Sequence, residues 1–191
     1  MLSQFNRYEM SVILLTCVFI CLFLYYLYRS LAKLLKKGKI NRRIRKISAA
    51  VLKDVELDMG DDQYAFFEYI VLLADRIMII EIKDFAGHIF ASEQINQWTQ
   101  ILSGKSYKFS NPFFELERKT DLLKHIVPAD KLGGMIVFTD NADFPKGRPQ
   151  NVWLLGELTG IYGKVTADEA TTTIRDYWLQ LNNYLQAQRD V

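Results

Sequence analysis

Residues 68–83 read EYIVLLADRIMIIEIK, an apolar run that opens on a carboxylate and closes on Glu-x-Lys. Residues 64–73 and 76–83 are rich in β-branched and aromatic side chains and are separated by Ala74-Asp75, so the spacing predicts two strands joined by a tight turn. If the chain reverses through Ala74-Asp75, opposing residue numbers add to 149, and Glu68 falls directly across from Glu81. Side chains alternate along a strand, so Ile79, Glu81 and Lys83 share a face with Glu68, while Ile80 and Ile82 point the other way.

Two carboxylates in register disfavour a hairpin. At about 5 Å and an effective dielectric near 20 the repulsion is on the order of 3 kcal/mol. Three arrangements relieve it: protonation of one carboxylate, a shared divalent cation, or the neighbouring ammonium of Lys83. Mg²⁺ suits such a pair, because it takes one or two carboxylates and keeps its other positions for water and phosphate. Lys83 would then orient a water or stabilise charge building on a phosphate. A solvent-facing sheet edge, with Lys83 paired to Glu81 or Glu68, satisfies the same residues. The spacing alone leaves both open.

The chain around this ribbon has 191 residues, 50% hydrophobic and 24% charged, enough for one globular domain plus an accessory segment and too apolar for disorder. The accessory segment is legible. From Met10 to Tyr28, 19 residues pass without a charge. A helix of that length spans about 28 Å, close to the hydrocarbon thickness of a bilayer. Tyr25, Tyr26 and Tyr28 cluster at its end, where aromatic rings favour the headgroup layer. The rival, a cleaved signal peptide, lacks a basic run before the apolar stretch and a small-x-small site after it. Cys17 and Cys21 lie inside this run and suggest neither a disulfide framework nor a metal site.

Residues 29–53 carry ten Lys or Arg and no acid, which places the C-terminal bulk in the cytoplasm by the positive-inside bias. The same run suits anionic lipid headgroups; nucleic-acid binding is the weaker alternative. Beyond it stand 13 basic and 21 acidic residues, so the globular part is near −8, without the basic footprint of a strong DNA binder. Ile40, Ile44, Ile47 and Val51 form one helical stripe that either lies on a bilayer or packs on the following domain.

Farther on, a bend at Gly87 leads to a third strand. Asn111 caps a helix with Pro112 in its first turn, which should run to about Val127. Residues 133–139 and 151–155 read as short buried strands. Ile174, Trp178, Leu181 and Leu185 mark a C-terminal helix. The pattern predicts a mixed α/β domain around one sheet.

Lys105 and Lys108, interleaved with Tyr107 and Phe109, suit either a nucleic-acid-binding strand or a plain solvated one. His88 and His125 lack partners in sequence, Trp98 and Trp153 read as core, and residues 140–143 lack the remaining ligands of a calcium loop.

Residues 68–89 (EYIVLLADRIMIIEIKDFAGHI), Trp98 and NPFFE at 111–115 together resemble the NERD (nuclease-related) domain family, a branch of the PD-(D/E)xK nucleases, over about residues 51–187. The resemblance implies a restriction-endonuclease-like mixed sheet flanked by helices, here preceded by one transmembrane helix. It implies hydrolysis of nucleic-acid phosphodiesters with Mg²⁺ or Mn²⁺. Glu68 takes the metal-binding acidic position, and Glu81 and Lys83 the Glu-x-Lys. The chain departs from the family pattern at three places. Glu68 stands for the usual Asp, residues 37–53 contain no Glu, and Glu115 replaces a common Gln.

The expected organisation is an extracytoplasmic tail at 1–10, a transmembrane helix at 11–28, a basic juxtamembrane helix at 29–50 and the nuclease-like domain at 51–191. The competing functions are a catalytically degenerate interaction module of the same fold and a lipid-associated domain driven by the basic segment.

Overall fold

A computed structural model describes residues 7–60 and 63–189. These fall into two compact units, divided between Arg42 and Arg43. The stretch MGDD at 59–62 reads as a turn in the sequence, and its Asp61 and Asp62 lie outside the described residues.

The first unit is the body of one helix, α1 (Arg7–Lys46). Side chains of its apolar run, such as Leu14, Phe19, Phe23 and Leu24, are exposed. The helix is long and apolar enough to cross a membrane.

In the second unit α1 ends at Lys46, and the stripe expected to continue as helix does not. Ile44 and Ile47 are fully buried, but Val51 belongs to a strand, β1 (Ala50–Asp58). Val55 and Leu57 explain why, since they alternate with exposed acids at period two rather than continuing at three and four. β1 pairs antiparallel with β2 (Tyr64–Leu72), and β2 with β3 (Ile77–Lys83).

The β2–β3 pairs Tyr69↔Ile80, Ile70↔Ile79, Val71↔Met78 and Leu72↔Ile77 carry the register expected from the sequence. β3 then pairs in parallel with β7 (Leu132–Phe138), and β7 with β9 (Val152–Leu154). The resulting five-stranded sheet has the order β1-β2-β3-β7-β9. β3 is internal, and its buried run Ile77–Glu81 is covered on both faces.

The remaining strands form a second sheet instead of joining the first. β4 (Gly87–Phe90), β5 (Gln97–Leu102), β6 (Lys105–Ser110) and the short β8 (Ala142–Asp143) take the order β6-β5-β4-β8. β5 and β6 are joined at Ser103-Gly104, both at positive φ (51° and 76°), which suits the right-handed twist of a two-residue hairpin. The fold is therefore mixed α/β with two mixed sheets.

Between the second sheet and β7 runs α2 (Pro112–Leu123), four residues shorter than expected. Asn111 is its cap, and its side chain accepts from Phe113 N at 3.0 Å. The Asn111 amide also donates to the carbonyls of Glu93 (3.2 Å) and Ile95 (2.9 Å), so one buried residue fixes the helix start against the preceding loop. α2 packs on β7 and β3. A Cβ at Gly134 would sit 2.8 Å from the Leu116 side chain, so glycine there permits the close approach. A five-residue helix, α3 (Leu158–Tyr162), and a 3₁₀ turn precede α4 (Thr172–Arg189). α4 packs on β1 and β2, with Ile174, Leu181 and Leu185 buried as their spacing predicts.

Candidate active site

Glu68, Glu81 and Lys83 gather at the open end of the β2–β3 ribbon. The ladder's last pair is Tyr69↔Ile80, one step short of Glu68 and Glu81. Beyond it the Glu68 carboxylate takes over, and Oε2 accepts the Ile82 N–H at 2.7 Å. That bond fixes the side chain toward β3.

Glu81 is only 2% exposed, which excludes the solvent-facing edge as the reading of these charges. Its counter-charges come from two elements. Lys83 Nζ lies 3.5 Å from Glu81 Oε2, and Lys119 Nζ, from α2, donates to Glu81 Oε1 at 2.6 Å. Lys119 also meets Glu115 Oε1 at 2.9 Å, and Glu115 Oε2 returns to Lys83 at 3.8 Å. The four side chains thus form a closed ring of alternating charge. Glu68 stands outside it.

Sequence reasoning missed Lys119, although a signal was present. Pro112, Leu116, Lys119 and Leu123 recur at helical spacing and form the buried face of α2. A lysine on an apolar stripe needs a buried partner, because unpaired burial of an ammonium is costly. Glu115, one turn earlier on α2, takes part in the same network.

The electrostatics separate the two outer carboxylates. Burial pushes Glu68 above its ordinary value, the Ile82 N–H opposes this, and the Glu81 charge pushes it further up. Burial also acts upward on Glu115, but the hydrogen bond and charge of Lys119, with Lys83 behind it, hold it below the usual carboxylate range.

Among the described residues no group of three or more His, Cys, Asp or Glu is arranged to hold a metal ion. Two carboxylates are the donor chemistry that a hard divalent ion takes. Mg²⁺ needs only one or two carboxylates; Glu68 Oε2 accepts the Ile82 N–H, and an ion at Glu81 would replace the 3.5 Å contact between Lys83 and its Oε2. The raised Glu68 is also the group whose charge a nearby cation would relieve. Beside Lys83 and Glu115 opens a recess of about 360 Å³ walled by Phe85, Phe109 and Phe114.

The other singled-out residues lie apart. Lys105 and Lys108 are both on β6 but three apart, so they project from opposite faces. His88 Nδ1 pairs with Asp143 Oδ2 at 2.9 Å on the surface. His125 meets the edge of Tyr184, Trp98 is fully buried, and Trp153 lies under Arg148. Asp140 accepts the Gly156 N–H at 2.6 Å, a loop-fixing role.

No curated protein and no solved structure matches the chain. A family model described as nuclease-related domain matches residues 29–139, from within α1 to just past β7, so it includes the basic segment as well as Glu68, Glu81, Lys83, Glu115 and Lys119. That match covers more than half of the 191 residues, and the chain belongs to the nuclease-related domain family.

Proposed function

We propose that this protein is a membrane-tethered, divalent-metal-dependent nuclease that hydrolyses phosphodiester bonds of nucleic acid on the cytoplasmic side. The observation that carries the reading is the meeting of Glu68 with the Glu81–Lys83 pair at the end of a ribbon held by α2. A hairpin feeding a parallel strand pair, with a helix laid across it, also suits a restriction-endonuclease-like core. The tether is the apolar part of α1, and the ten positive charges that follow argue for the cytoplasmic side and for contact with anionic headgroups.

Glu68 and Glu81 would hold Mg²⁺ or Mn²⁺. The chemistry such an ion supplies is polarisation of a phosphoryl oxygen and a more acidic water. The chain's own residues do the rest. Lys83, partly exposed beside Glu81, presents its ammonium toward a phosphate and offsets charge that develops there. Lys119 fixes the orientation of Glu81 from behind. The Ile82 N–H holds Glu68 in place.

The test is cleavage of single- and double-stranded oligonucleotides by the full-length chain in detergent, with Mg²⁺ or with EDTA. Cleavage should require the metal and fall at least about a hundredfold in Glu81→Gln and in Lys83→Met. Metal-dependent cleavage left unchanged in Glu81→Gln would refute these roles.

The charge ring favours a second reading, a catalytically degenerate interaction module, since both oxygens of Glu81 already face lysines. Calorimetry with no heat of Mg²⁺ or Mn²⁺ binding would select it.

A further inference from the structure

The recess beside Lys83 gives the charge ring an apolar wall. Phe85 and Phe109 pack at 4.6 Å between centroids, and Phe114, 52% exposed, borders its mouth from α2. Three aromatic rings beside an ammonium suit a planar heterocycle attached to a phosphate. The volume, about 360 Å³, fits a single unstacked nucleotide better than a stacked pair. A larger recess of about 570 Å³ along α2 is lined by Glu93, Glu117, Asp121 and Lys124 and touches neither Glu81 nor Lys83.

The aromatic wall continues outward. Trp98↔Phe109, Gln100↔Tyr107 and Leu102↔Lys105 are cross-strand pairs, so Phe109, Tyr107 and Lys105 share one face of β6. Tyr107 is 48% exposed, and β6 is the edge strand of its sheet. Lys108 and Ser106 lie on the reverse face, opposite Thr99 and Ile101. The stripe therefore runs aromatic, aromatic, basic, leading away from Lys83. This is the composition of a surface on which bases stack and a backbone phosphate is met at the end.

We propose that the recess between Lys83 and Phe114 takes one unstacked base of a single-stranded nucleic acid whose chain continues over Tyr107 to Lys105. The inference rests on reading the Glu81–Lys83 end as a phosphodiester site, and it specifies the substrate as single-stranded. Duplex DNA presents no free base face to Phe114.

Binding is measured by fluorescence anisotropy with the full-length chain in detergent and EDTA, using a labelled oligothymidylate and a duplex of the same length. The basic segment at residues 29–53 contributes equally in every variant. Phe114→Ala and Tyr107→Ala should each weaken single-strand binding about tenfold and leave duplex binding alone. Lys105→Gln should weaken it less and flatten its salt dependence, and Lys108→Gln should change nothing. Unchanged single-strand affinity in both aromatic variants, with native circular dichroism, would overturn the proposal. So would an equal loss in Lys108→Gln and Lys105→Gln, the mark of diffuse charge attraction. EDTA separates this result from catalysis. Cleavage by a chain whose Phe114→Ala affinity is unchanged defeats the single-strand track alone, and aromatic-dependent binding without cleavage in Mg²⁺ defeats hydrolysis alone.

Discussion

The β2–β3 ribbon carries charge at both ends, and the two ends behave in opposite ways. At the turn, Asp75 and Arg76 pair through several hydrogen bonds, the shortest 2.9 Å, with both side chains largely in water. At the open end, Glu81 and Lys119 meet at 2.6 Å with only 3% of either side chain exposed. The turn pair is made of sequence neighbours, and water would serve either group nearly as well. The buried pair joins residues 38 positions apart, and water has almost no access to replace either partner. Geometry alone does not rank these ion pairs; the medium does, because desolvation makes a broken buried pair expensive and leaves a surface pair marginal.

The largest effect should come from Lys119→Met, which leaves Glu81 buried with only the longer contact to Lys83. A loss of about 3 kcal/mol is expected in urea denaturation of the full-length chain. A loss below about 1 kcal/mol would break the contrast between the two ends. Next, Lys119→Met combined with Glu81→Gln should recover much of that loss, since the uncompensated charge is removed. Strict additivity in the double-mutant cycle would show that the two side chains do not act as a pair.

The third prediction concerns pH. Burial, then the Glu81 charge, raise Glu68 despite the Ile82 hydrogen bond, so the fold favours its protonated form. Its contribution is favourable below the ordinary value of 4.5 and is lost as pH rises through the raised value. Glu68→Gln should therefore raise Tm at neutral pH, with the gain disappearing in acid. Asp75 has the opposite sign. The Arg76 hydrogen bond lowers it, so its contribution is present above 3.8 and is lost as pH falls through the lowered value. The smallest effect is accordingly Asp75→Asn at neutral pH, a loss of less than about 1 kcal/mol by the same denaturation.

Much of the ribbon could be read from residues alone. The turn at Ala74-Asp75 fixes the pairing sum, and a period of two fixes which side chains share a face, so the sequence itself brings Glu68, Glu81 and Lys83 to one end of the ribbon. The apolar run of α1 and the buried stripe of α4 were equally legible, because each signal is local and periodic. β1 was not. The helical spacing of Ile40, Ile44 and Ile47 happened to continue onto Val51, and local periodicity could not locate the switch to strand at Ala50. Nor was the second sheet, since a sequence marks strands without stating which edges they choose.

Sequence alone determined that two acids and a lysine would converge at the end of a β-ribbon, since backbone alternation admits no other outcome once the turn is placed. Tertiary structure alone decided what neutralises them. The helical stripe marks Lys119 as buried, but its meeting with Glu81 depends on Gly134 letting α2 approach β7 and on Asn111 anchoring the helix start, long-range contacts that the spacing does not name.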